Sequence, residues 1–117
     1  MRRPISESQL RAEFIDLARR MPRGVRVQLW FDPELSRTHA RNSRRYAEQQ
    51  GDRIFVAREI MFIPKAQRSG LLCHELGHLA LRGQKHTERD ADEAAEALLG
   101  VRIRYSKKWR GRGVQST

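Results

Sequence analysis

The 117-residue chain has one cysteine, Cys73, so no intramolecular disulfide can close. That usage suits a reducing compartment, and an intracellular, cytoplasmic location is the expectation. No apolar run approaches the roughly 20 residues that a membrane-spanning helix needs, so no membrane partner is expected. The opening Met1-Arg2-Arg3-Pro4 is charged, but the polar Ser6-Glu7-Ser8-Gln9 follows where a secretory leader would place its apolar stretch; no leader is expected. There is no internal repeat and no linker. The length leaves room for one domain, expected over residues 1–105, with a basic, partly flexible tail over 106–117.

What the chain has in excess is positive charge. Twenty-four Lys and Arg stand against 14 Asp and Glu, a formal net charge of +10. Such a surface attracts nucleic acid, an acidic protein face or anionic lipid; an Arg-rich proteome would give the same excess without a partner. Arg102, Arg104, Lys107, Lys108, Trp109 and Arg110 are the candidate nucleic-acid contacts, because basic side chains around an aromatic can grip a single strand. Arg37, Arg41, Arg44 and Arg45 form a second basic cluster.

The hydrophobic pattern predicts an α+β domain, a small twisted antiparallel or mixed sheet packed on helices. Ser6 with Gln9 reads as a capping box opening a helix whose apolar positions are Leu10, Phe14, Leu17, Ala18 and Met21. Pro22 and Gly24 end it. The alternation from Val25 to Phe31 predicts a strand, and Arg44–Gln49 and Arg53–Ala57 around Gly51 predict a hairpin. Ile60–Ile63, closed by Pro64, reads as an edge strand to which an extended peptide could pair. A second helix is expected from Ala66 to about Arg82, stopped by Gly83, and a third from Glu88 to Leu99, capped by Thr87 and ended by Gly100.

The second helix carries His74-Glu75-Leu76-Gly77-His78. Residues four apart project from one helix face, so His74 and His78 can bind one metal ion in adjacent positions. Glu75 lies beside them, where a carboxylate can take a proton from water activated by that ion. This is the logic of an HExxH zinc site, which needs a third protein ligand and one open position. The three-histidine extension of the motif is excluded: it requires glycine at Leu81 and histidine at Gln84. The remaining candidates are His86, Glu88 and Asp92. Gly77 costs about 1 kcal/mol against Ala inside a helix, which calls for a packing reason such as close approach of the Glu88–Leu99 helix or the sheet. Cys73 reads as a small buried residue. His86, Tyr46, Tyr105 and Arg104 are candidates, by residue type, to stabilise an oxyanion.

His74-Glu75-Leu76-Gly77-His78, followed by Glu88-Arg89-Asp90-Ala91-Asp92-Glu93-Ala94-Ala95-Glu96-Ala97-Leu98-Leu99, resembles the ImmA/IrrE family of bacterial and phage metallopeptidases over about 30 residues. The resemblance implies a minimal zincin-like, gluzincin-type domain holding one Zn²⁺. Glu88 would be third ligand, Glu75 general base and acid, and Asp92 a support for a ligand histidine. It also implies a protein or peptide substrate, such as a DNA-associated regulatory protein. Nine residues separate His78 from Glu88, Ala94 stands for the family's Phe, and Gly100-Val101 stands for its Met-Pro. The alternative third ligand is His86, as in SprT-like DNA-guided proteases. A rival of another class is a nucleic-acid-associated binding module whose zinc site is structural or vestigial.

Overall fold

The computed structural model describes residues 4–22, 25–32 and 46–100. Within them lie three α-helices and a three-stranded mixed sheet, a mixed α+β arrangement. Helix α1 spans Glu7–Ala18. Ser6 Oγ accepts from the Gln9 backbone at 3.1 Å while Gln9 Oε1 accepts from the Ser6 backbone at 2.9 Å, a reciprocal cap. The helix stops four residues before Pro22, because Arg20 and Met21 turn their N–H groups back to Leu17 and Ala18 in a tighter turn. Leu10, Phe14, Leu17 and Met21 reach the core.

Strands β1 (Gln28–Phe31), β2 (Ala47–Gln50) and β3 (Arg53–Val56) form one sheet in the order β1-β3-β2. β2 and β3 are the expected hairpin, turned at Gly51-Asp52 with Gly51 at φ 60°. β1 runs parallel to β3 from the pair Gln28↔Arg53 to Phe31↔Val56. The ladder excludes Val25–Val27 because β3 begins at Arg53, leaving those residues no partner there. Leu29, Ile54, Val56 and Ala47 are buried beneath the helices.

Ile60–Ile63 is not an edge strand. Residues Arg58–Phe62 form a 3-10 helix, with the Ile60 N–H on the Ala57 carbonyl and the Met61 carbonyl accepting from Ile5. Ile60 and Met61 are buried and Phe62 is exposed, a helical rather than alternating pattern. The peptide-pairing edge expected at Ile60–Ile63 is therefore absent. Among the described residues, the sheet edges are β1 and β2.

Helix α2 (Lys65–Ala80) follows Pro64, and α3 (Glu88–Leu99) follows a short turn containing Gly83 at φ 86°. α2 crosses the middle of the domain and packs on α1, β2, β3 and α3. That explains why Leu71 through Gly77 are all buried. Arg68, 5% exposed, anchors α2 to α1 through a two-pronged bond to Glu13 at 2.9 and 2.7 Å. Thr87 and Asp90 cap α3 reciprocally, and Gly100 closes it at φ 64° in the left-handed region. Ala91, Ala95 and Leu99, four apart, bury its inner face. Among the described residues no helix is long and apolar enough to cross a membrane. The boundary expected near residue 105 lies outside the described residues.

Candidate metal centre

The α2–α3 contact positions the site. An ideal Cβ on Gly77 would lie 1.9 Å from the Ala91 carbonyl oxygen, so only glycine allows the two backbones to come this close. The approach brings the first turn of α3 over the C-terminal half of α2. His74 and His78 face it from below; Glu88 and Asp92 face it from above.

Three atoms converge. Glu88 Oε2 lies 2.7 Å from His74 Nε2 and 2.7 Å from His78 Nε2, and the two nitrogens are 3.1 Å apart. His74 is fully buried, and the side chains of His78 and Glu88 open part-way to solvent. This His74–His78–Glu88 group could hold a metal ion.

The donor chemistry fits such an ion. Asp92 Oδ1 lies 2.6 Å from His74 Nδ1, and an ionised carboxylate only accepts, so Nδ1 carries the hydrogen. His74 Nε2 in the neutral ring then presents a lone pair toward Glu88. Ligand atoms on a tetrahedral zinc ion sit roughly 3.3 Å apart, given bonds of about 2.0–2.1 Å. The observed 2.7–3.1 Å is a few tenths shorter, within reach of small side-chain rotations.

Electrostatics follow from burial and neighbours. Burial alone lowers the His74 pKa, but the Asp92 hydrogen bond and the charges of Glu75, Asp92 and Glu88 outweigh it, and the net shift is upward. His78 moves down, through burial and then the His74 charge. Burial raises Glu75 to about 8. Its Oε1 accepts from the Gln49 backbone N–H of β2 at 2.7 Å; its Oε2 is buried with no hydrogen-bond partner among the described residues. That orphaned oxygen is the atom a proton-transfer role would need.

His86 stands at the other ring nitrogen of His78, with Nε2 2.8 Å from His78 Nδ1, rather than at the convergence point. Tyr46 packs on Leu71, as does Ile63. Cys73 is buried, and burial pushes its thiol up to about 12. Arg37, Arg41, Arg44, Arg45, Arg102, Arg104, Tyr105, Lys107, Lys108, Trp109 and Arg110 lie outside the described residues. The Gln49–Glu75 bond joins residues 26 apart in the chain and has no local sequence signal. Comparison with family models, curated proteins and solved structures found no match for this chain.

Proposed function

We propose that this protein is a zinc-dependent metallopeptidase in which Glu75 is the general base. One observation carries the reading: two imidazole nitrogens and one carboxylate oxygen converge, and Glu75, next to His74 in the chain and acted on by the His74 and Glu88 charges, is a buried carboxylate with one oxygen held and the other without a partner among the described residues. Three ligands leave a fourth position for chemistry, whereas a structural zinc site closes all four with protein atoms. Among the described residues, no fourth His, Cys, Asp or Glu side chain joins the cluster.

A zinc ion held by His74, His78 and Glu88 would supply polarisation of a carbonyl and a lowered pKa for water, from ~15.7 toward ~7. Glu75 Oε2 takes the proton from the attacking water and returns it to the departing amine nitrogen. The Gln49 N–H fixes Oε1, so the carboxylate does not swing between the two tasks. Asp92 sets the ring of His74 and its tautomer. A peptide substrate suits the surroundings: β2 is an edge strand among the described residues, and an extended chain can pair along such an edge, apart from the Gln49 N–H that Glu75 already holds.

Glu75→Gln tests the assignment. The variant keeps one zinc per chain, measured by mass spectrometry under native conditions, and loses casein or peptide-library cleavage by roughly 10²–10⁴-fold. Undiminished cleavage would sink the mechanism. Loss of the metal together with activity would make Glu75 part of the binding set instead.

A further inference from the structure

The loop between α2 and α3 brings a third histidine to the site, and its bonding fixes a direction. His86 Nδ1 lies 2.8 Å from the Gln84 carbonyl oxygen, and His86 Nε2 lies 2.8 Å from His78 Nδ1. A carbonyl only accepts, so His86 Nδ1 carries the hydrogen. In the neutral ring Nε2 is then the acceptor, and the hydrogen between the rings belongs to His78 Nδ1. A neutral His78 with its hydrogen on Nδ1 has a bare Nε2, and that is the atom 2.7 Å from Glu88 Oε2.

We infer that His86 is a positioning residue: it holds His78 in the tautomer and ring orientation that direct Nε2 at the metal centre, as Asp92 does for His74. The inference rests on the metal-site reading above and adds a role for a residue that ligates nothing. The two histidines are thus supported differently. His74 leans on a carboxylate from α3, and His78 on an imidazole anchored to the backbone of the turn. The turn itself therefore contributes to the site, with Gln84 at its middle and His86 next to the Thr87 cap of α3.

The test uses zinc as the probe. His86→Leu removes the acceptor; His86→Gln restores one, because its side-chain oxygen reaches about as far as the imidazole Nε2. Chelator competition should show zinc affinity falling about 10–100-fold in His86→Leu and recovering to within about threefold of the parent in His86→Gln. Long-range ¹H–¹⁵N spectra of the zinc-loaded parent should show a protonated His78 Nδ1 and a metal-bound His78 Nε2. The Nδ1 proton should persist in His86→Gln and exchange into water in His86→Leu. Unchanged affinity and an unchanged His78 proton in His86→Leu would overturn the role of His86 while leaving the metal site intact. Equal losses in both variants, with Glu88→Gln binding normally, would make His86 the ligand. A parent chain that binds no stoichiometric zinc would overturn both readings.

Discussion

Gly77→Ala should unmake the proposed metal centre without changing any of His74, His78 and Glu88. The added Cβ would lie 1.9 Å from the Ala91 carbonyl oxygen, 2.7 Å from its carbon and 3.2 Å from its Cα. Real Cβ atoms essentially never come within 3.0 Å of such a neighbour, so α3 must withdraw by about 1.1 Å at least. No rotamer change relieves a clash with backbone. Glu88 lies three residues before Ala91 and Asp92 one after, so both move with it. Productive metal distances tolerate about ±0.2 Å, and the displacement is several times larger. On stability, Ala gains about 1 kcal/mol of helix propensity over Gly, while overpacking costs about 1–3 kcal/mol. The net change in the metal-free protein should be a modest loss, and the change in metal binding a large one.

Zinc affinity by chelator competition should fall at least 100-fold, about 2.7 kcal/mol. Thermal melts should show the parent gaining stability with excess zinc and Gly77→Ala gaining little. Ala91→Gly in the same chain is a sharp control. The obstructing atom is a carbonyl oxygen, so removing the Ala91 methyl group should not rescue binding. Zinc affinity within threefold of the parent, or rescue by Ala91→Gly, would refute the close-approach reasoning.

Three further outcomes are expected. The Glu75 carboxyl is raised from 4.5 to about 8 in the folded metal-free protein, so the fold binds this proton more tightly than the unfolded chain does. Metal-free stability should therefore fall as pH rises from about 4.5 to about 8, by a few kcal/mol at most, and Glu75→Gln should flatten that slope in urea titrations at stepped pH. Arg68→Met leaves the Glu13 carboxylate and the Ile63 carbonyl without their shared donor. It should cost about 3 kcal/mol in the same titrations, and a loss under 1 kcal/mol would mean that water screens the pair. Cys73, buried and with its thiol pushed up to about 12, should resist iodoacetamide in the native protein and react on unfolding. Prompt native alkylation, followed by mass, would contradict the burial.

The residues legible in the sequence are those whose partners lie within a helical turn. Ser6 and Gln9 announce their cap, Thr87 its helix, and the four-residue spacing of His74 and His78 their shared face. Ile60–Ile63 misleads because four apolar residues suit a strand or a buried helical turn equally. What decides is the Ile60–Ala57 bond and the Met61 carbonyl held by Ile5, more than 50 residues away. The parallel pairing of β1 with β3 is equally nonlocal. At the site, sequence names His86, Glu88 and Asp92 together. Their separation depends on the path of the seven residues, 81–87, between α2 and α3, which places Glu88 on the Nε2 side of His78 and His86 on the Nδ1 side.

Several unfavourable features of this fold lie around the His74–His78–Glu88 group, with Glu59 Oε1, a buried oxygen without a partner among the described residues, standing apart on the 3-10 helix. Gly77, in the last turn of α2, weakens that helix by up to about 1 kcal/mol relative to Ala. Glu75 is buried with an oxygen unsatisfied, and an orphaned polar atom costs about 1–3 kcal/mol. Asp92 and His86 occupy the Nδ1 sides of His74 and His78, so in the neutral rings both Nε2 atoms offer lone pairs where Glu88 offers another. Elsewhere the local choices agree with the fold: α1 and α3 are reciprocally capped, and the buried positions of α3 recur every four residues. A pair of histidines placed by chance would not require the glycine, the buried carboxylate and the two ring supports as well. A cation at the convergence point would balance the lone pairs and favour the ionised Glu75. Local strain in an otherwise consistent sequence is what a functional site produces. On the proposed reading that cation binds only the folded chain, so metal binding should add to folding stability through the two helices that meet at Gly77.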